Sequence, residues 1–273
     1  MPTDYSKKME PNNKKYADAL SRVLGIMNKL RAQCPWDKKQ TLESLRHLTI
    51  EETYELSDAI LEGDLKAIKT ELGDLMLHIV FYAKMGSEKK AFDLADVMNG
   101  LCDKLIARHP HVFGDVTVQD EAEVKRNWEF LKLKEKNAPQ NILAGVPKSL
   151  PALIKALRIQ EKASGVGFDW QYKEDVWEKV KEEIAEFEAC FKGDNIDFEA
   201  ATSEFGDLLF SLVNYARFIN INPETALEKT NKKVIKRFTY MESAAQRDGK
   251  CFQTLTLAEM DAYWDEAKSC HID

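Results

Sequence analysis

Along much of the chain, apolar residues return at intervals of three and four. From Leu65 onward the stripe runs Leu65, Ile68, Leu72, Leu75, Ile79 and Tyr82, the spacing of one helix face turned toward a core. No window alternates apolar and polar residues between hairpin-turn signals, so no strand is predicted. Thr49 and Glu52 have the spacing of a capping box opening a Glu-rich helix. Gly63-Asp64 and Gly193-Asp194 punctuate the two Glu-rich segments at equivalent places, as helix stops do. The pattern predicts an all-α protein.

The pattern also repeats. EETYE (51–55) matches EEIAE (182–186), and ELGDLML (71–77) matches EFGDLLF (204–210). The offset is 131 residues at Glu52/Glu183 and 133 at Asp74/Asp207, so the internal spacing is nearly preserved. Three flanking blocks follow in the same order: PWDKKQ with GFDWQY, DKLIARH with KKVIKRF, and RNWEFLK with AYWDEAK. Five ordered matches indicate a tandem duplication. Residues 137–149 carry Pro139 and Pro147, with Pro151 just beyond, and read as a linker because proline removes backbone donors and disfavours helix before it. The expected organisation is a disordered leader (1–15), a first helical-bundle domain (16–136), the linker, and a second bundle (150–273). About four helices are expected in each.

Composition agrees with this picture. Twelve glycines and eight prolines in 273 residues are about 7%, below the usual 12% or so, which disfavours turn-rich β architectures. With 31% charged and 44% hydrophobic residues, the chain suits amphipathic helices and is too apolar for disorder. The formal charge of −7 makes general nucleic-acid binding a poor fit. The five scattered cysteines, Cys34, Cys102, Cys190, Cys251 and Cys270, read as free thiols rather than a disulfide frame or zinc site. The first fifteen residues lack an apolar core, and no apolar stretch is long enough to span a bilayer. A cytoplasmic protein with no membrane partner is expected.

The acidic blocks carry the chemistry. Glu183 and Glu186 are three apart, as are Glu204 and Asp207 on the next helix, so two packed helices would gather four carboxylates. Glu52, Glu55, Glu71 and Asp74 repeat this in the first half. A solvated acidic face is the plain alternative. However, Glu71 and Asp74 adjoin Leu72 and Leu75 beside the core stripe, and the arrangement occurs twice. Repulsion between such acids is relieved by a hard divalent cation. No histidine has a glutamate three residues before it, so the ligand pairs of di-iron bundles are absent. Oxygen-only donors favour Mg2+, with Mn2+ also suited.

Cations follow at matched places: Lys104 and Arg108 in the first half, Lys233 and Arg237 in the second. Each pair shares a helix face that can be merely solvated or can hold a polyphosphate against a metal. Trp128 and Trp264 also match; either can stack on a base, pack in the core or form a dimer contact. His78 faces Ser211 in the repeat, which favours core packing, and His109 and His111 around Pro110 suggest a structural turn. No GxxxxGK[ST] loop is present, which argues against a P-loop enzyme.

These residues are recognisable. EExxE followed by ExxD, together with CPWDKKQT, LTIEETYEL, ELGDLMLHIVFYA, RHPHVFGD, VGFDW and EFGDLLFSLVNYAR, resembles MazG-type nucleoside triphosphate pyrophosphohydrolases of the two-domain bacterial kind. The resemblance covers essentially the whole chain after the leader. It implies an all-α, usually dimeric enzyme that uses Mg2+ to hydrolyse NTPs or dNTPs to monophosphate and pyrophosphate. The family role is housekeeping clearance of aberrant or excess nucleotides. It further implies that Glu183, Glu186, Glu204 and Asp207 hold the metal and carry catalysis. Nucleotide contacts would come from Lys179, Glu182, Glu183, Asp207, Lys233, Lys236, Arg237 and Trp264. Residues 200–203 depart from relatives that carry Lys and extra acids there. His109-Pro110 cuts the first cationic helix short, so the second half is expected to be the main catalytic site. Two alternatives keep the same acids: a hydrolase restricted to one nucleotide class such as dUTP or dCTP, and a non-catalytic module sensing a nucleotide or (p)ppGpp-like ligand.

Overall fold

The computed structural model describes residues 11–120, 123–124, 127–128, 131, 141–192 and 196–272. It is all-α, with no strand among the described residues. The chain divides into two compact units at residues 119/120. The first four residues of the expected linker lie outside the described residues, and 141–149 belong to the second unit.

The first unit contains α1 (Pro11–Gln33), α2 (Leu42–Glu62), α3 (Leu65–Glu88), α4 (Leu94–Arg108) and the short α5 (Pro110–Phe113). Residues 11–15 are thus helical where an irregular leader is expected, because the helix opens on Pro11, whose fixed φ suits a first turn. Residues 1–10 lie outside the described set. Met27 of α1, Leu45 of α2, and Val80, Phe81 and Met85 of α3 form the core.

The second unit contains α6 (Ala152–Gly165), α7 (Lys173–Ala189), α8 (Phe198–Phe218), α9 (Pro223–Arg247) and α10 (Leu257–Ser269). Met241, Ala244 and Ala245 of α9 pack on Tyr263 of α10. Val176 and Val180 are fully buried on α7.

Each unit is organised around one helical hairpin, α2 on α3 and α7 on α8. Gly63 ends α2 in the left-handed conformation (φ 69°), its N–H donating to Ala59 and Ile60. Glycine adopts that conformation without steric penalty. Asp64 then caps α3 by accepting the Lys66 and Ala67 N–H groups. Asp197 caps α8 in the same way, through Glu199 and Ala200. The matching Gly193-Asp194 pair lies outside the described residues.

Two sequence expectations need correction. Thr49 does not open a helix: α2 starts a full two turns earlier, where Thr41 and Ser44 form a reciprocal capping box. Thr49 lies inside α2, and its hydroxyl donates to the Leu45 carbonyl. The apolar stripe of α3 is only partly covered: Ile68, Leu75 and Tyr82 are half-buried, and Tyr82 packs on the core. Leu65 is 81% exposed, Leu72 53% and Ile79 46%, whereas His78, Phe81 and Met85 are buried and Glu71, Asp74 and Leu75 half-buried. The face toward α2 is the one that carries the acids. On α8 the same holds, with Ala201 and Ser211 buried, Glu204 half-buried, and Phe205, Leu209 and Leu212 exposed. Periodicity finds an apolar face but not which neighbour covers it.

Candidate metal and phosphate site

The first hairpin brings Glu52 and Glu55 of α2 against Glu71 of α3. Their carboxylate oxygens lie within 4.8 Å of one another. Asp74 is the flanking acid. Burial raises the Glu52 carboxyl above its ordinary range, and the charges of Asp74, Glu55, Glu71 and Glu51 push it the same way. Burial also raises Glu71, helped by Glu55 and Asp74 and by a hydrogen bond to the Glu55 carboxyl.

Behind the acids lies a polar network. Thr49 Oγ1 is 2.7 Å from His78 Nδ1 and 2.6 Å from the Tyr82 hydroxyl. Since the Thr49 hydroxyl donates to Leu45, the network closes when Nδ1–H and the Tyr82 O–H donate to Thr49. His78 is buried as its repeat position suggested, and burial lowers its pKa against the opposing pull of Asp74.

The second hairpin gathers Glu183, Glu204 and Asp207, again with oxygens within 4.8 Å. Glu183 is buried, Glu204 half-buried and Asp207 exposed. Burial raises the Glu186 carboxyl, and the charges of Glu183 and Glu204 add to this while Lys179 opposes it. Lys179 Nζ sits 2.7 Å from Glu183 Oε1 and donates to Glu182 Oε1 at 2.9 Å. These bonds to Glu183 and Glu182 hold the ammonium well above its ordinary pKa.

The donor sets suit a hard cation. Three carboxylate oxygens gathered within 4.8 Å are the donor type that Mg2+ takes. Nitrogen and sulfur donors are absent from both three-acid groups.

The remaining candidates fall into a second grouping. Lys233, Lys236 and Arg237 lie on α9, with Lys233 and Arg237 half-buried and Lys236 exposed. Arg237 Nε donates to the Ile272 carbonyl at 3.0 Å, and its guanidinium stands 5.5 Å from the Trp264 ring centre. Trp264 packs against the Met241 and Tyr263 core. In the first unit Lys104 and Arg108 end α4, which stops at Arg108 before the Pro110 turn. His109 Nδ1 lies 2.6 Å from the Leu105 carbonyl, a structural role. Trp128 is described, but much of its block (126–132) lies outside the described residues.

Two arginine clamps were not anticipated. Asp169, in the GFDWQY block, takes a two-pronged bond from Arg217 of α8 at 2.6 and 2.9 Å. Burial raises the Asp169 carboxyl, but the Arg217 bond, a Ser164 bond, the Arg217 charge and the Trp170 N–H outweigh it and leave it lowered. In the first unit Arg31 binds both Glu88 oxygens and the carbonyls of Asp37 and Gln40. Both clamps hold the segment that leads into an acid-bearing helix.

The MazG nucleotide pyrophosphohydrolase domain family matches residues 40–113, the span of α2 to α5. A Thermotoga maritima protein named nucleoside triphosphate pyrophosphohydrolase/pyrophosphatase MazG is 44% identical over 90% of this chain and 94% of its own. The nucleoside triphosphate pyrophosphohydrolase of Escherichia coli K12 is 40% identical over 93% of this chain and 98% of its own. YabN of Bacillus subtilis, an uncharacterized protein, is 47% identical over 91% of this chain but only 51% of its own length. At this identity over nearly the full lengths of the Thermotoga and Escherichia proteins, the chain belongs to the MazG family of nucleotide pyrophosphohydrolases.

Proposed function

We propose that this protein hydrolyses nucleoside triphosphates, ribo or deoxy, to nucleoside monophosphate and pyrophosphate, with Mg2+ held by the carboxylates of the helical hairpins. The observation that carries this is the paired, buried-edge carboxylate groups, three oxygens within 4.8 Å in each unit, in a chain similar end to end to proteins named for that activity. In the reaction, the oxygen of a water bonds to the α-phosphorus, the bond to the bridging α–β oxygen breaks, and pyrophosphate leaves. Glu183, Glu204 and Asp207 are the ligands in the second unit, with Glu186 at their edge. A bound Mg2+ supplies Lewis acidity toward the phosphate oxygens. Glu186, exposed at the edge of the group, is the neighbouring carboxylate that takes the proton of the attacking water. Lys179, Lys233, Lys236 and Arg237 offset charge on the polyphosphate, and Trp264 offers a face to the base.

The second unit is the principal catalytic site on this reading, because a cation already touches its acids and α9 runs unbroken past Lys233 and Arg237. Glu52, Glu55, Glu71 and Asp74 form a second metal site. The apolar faces left open on α3 and α8 support a homodimer. No described helix is long and apolar enough to cross a membrane; a housekeeping role on cytoplasmic nucleotides is part of the same reading. The test is product analysis on an NTP and dNTP panel with Mg2+ and an EDTA control. Metal-dependent monophosphate and pyrophosphate are expected. Diphosphate and phosphate would move the attack to the γ-phosphorus, and ligand-induced thermal shifts without turnover would favour the sensing module.

A further inference from the structure

The two carboxylate groups differ in one charge. On α7, Lys179 precedes Glu183 by one turn, and its ammonium bridges Glu183 at 2.7 Å and Glu182 at 2.9 Å. The corresponding residue on α2 is Leu48, which packs against the core of the first unit. Glu51, the counterpart of Glu182, is exposed.

The Lys179 bridge is more than a surface ion pair. The Glu183 side chain is 7% exposed, so its charge needs a partner where water is scarce. A lysine four residues before a glutamate is the less favourable order on an isolated helix, so local helix energetics do not explain the contact. Lys179 itself is 37% exposed, on a flexible stem that can swing outward.

We propose that Lys179 is the resident counter-ion of the second carboxylate group and competes with a divalent cation for Glu183. This rests on the reading that Glu183, Glu204 and Asp207 hold a metal. A bare cation entering the group meets the ammonium at Glu183 and must displace it. A triphosphate arriving with the cation receives that ammonium on its phosphate oxygens, so metal and nucleotide bind together. The second site therefore resists filling by free metal and fills with the substrate complex. From position 48 the first group has no such competitor.

The test is equilibrium dialysis of the full chain against radiolabelled Mn2+, in a Glu52→Gln/Glu71→Gln background that silences the first group. An α,β-methylene triphosphate, which resists cleavage, is added at equal concentration on both sides where used. Lys179→Met should bind bare Mn2+ at least about tenfold more tightly than the Lys179 chain, since a unit charge a few ångströms away is removed. The analogue should tighten Mn2+ binding by the Lys179 chain more than it tightens binding by Lys179→Met. Lys179→Gln should follow Lys179→Met, and circular dichroism melts confirm that both fold. If Lys179→Met and Lys179→Gln bind bare Mn2+ no more tightly, while Glu183→Gln abolishes binding, the competition is refuted and the metal reading stands. If no protein binds Mn2+ with or without the analogue, the metal reading fails and the inference falls with it.

Discussion

The α2–α3 and α7–α8 hairpins share a plan and differ in what fills the space around their acids. In the first, Thr49, His78 and Tyr82 make a buried hydrogen-bonded network and no lysine reaches the carboxylates through the bonds described. In the second, the counterparts of Thr49 and His78 are Val180 and Ser211, and Lys179 neutralises Glu183. Carboxyls are raised in both hairpins, Glu52 and Glu71 in one and Glu186 in the other, but only the second has an ammonium bonded to its buried acid. The two hairpins carry matching acids and differ in the groups around them: a polar hydrogen-bonded network in one and a lysine bridge in the other.

The largest predicted effect separates the copies by function. Glu183→Gln should lower kcat/KM at least about 100-fold, because charge stabilisation of several kcal/mol is lost, while Glu52→Gln should change it only a few-fold. Pyrophosphate release under matched Mg2+ measures both. Metal removal comes next. Mg2+ at about a hundred times its Kd should raise the melting temperature by about 5–10 °C through binding to the native state alone, and EDTA should reverse the shift in calorimetry.

Much of this contrast was legible in the sequence. The spacing of Glu52, Glu55, Glu71 and Asp74, its recurrence, and the Gly63-Asp64 break suffice to place the acids on a helical hairpin. The covered face of α3 was not legible, because Leu65, Leu72 and Ile79 have a helix-like period whether or not anything in the same chain covers them. Thr49 and Glu52 fit a capping template by spacing alone, yet α2 is already capped two turns earlier by Thr41 and Ser44, and Thr49 meets His78 instead. The Lys179 bridge was hidden for a third reason. A lysine beside glutamates is ordinary on a helix surface, and only the burial of Glu183 gives it consequence.

Smaller effects sharpen the difference in the two cores. Thr49→Val, the residue found at the second-unit position, should cost about 1–3 kcal/mol by leaving His78 and Tyr82 without their acceptor. His78→Ser added to it should cost less than the two separate changes combined, as read by urea denaturation of the full chain. The His78 pKa is lowered in the folded state, so the unfolded chain binds its proton more readily. This contribution is complete above the ordinary imidazole value of about 6.5 and is lost as pH falls through the lowered folded value. Urea midpoints from pH 8 to 5 should drop more steeply for the wild-type chain than for His78→Ser. Smallest and symmetric, Asp64→Ala and Asp197→Ala should each cost about 1 kcal/mol as lost helix caps, showing that the hairpin frames are equivalent even though their interiors are not.

The most direct test of the account is to quantify monophosphate and pyrophosphate from one NTP with Mg2+ for the wild-type chain, Glu52→Gln/Glu71→Gln and Glu183→Gln/Asp207→Asn. The account predicts one pyrophosphate per monophosphate in the wild type, near-normal turnover when only the first acids are changed, and loss of both products when the second are changed. Full turnover by Glu183→Gln/Asp207→Asn, or its loss in Glu52→Gln/Glu71→Gln alone, would contradict the assignment of catalysis to the α7–α8 hairpin.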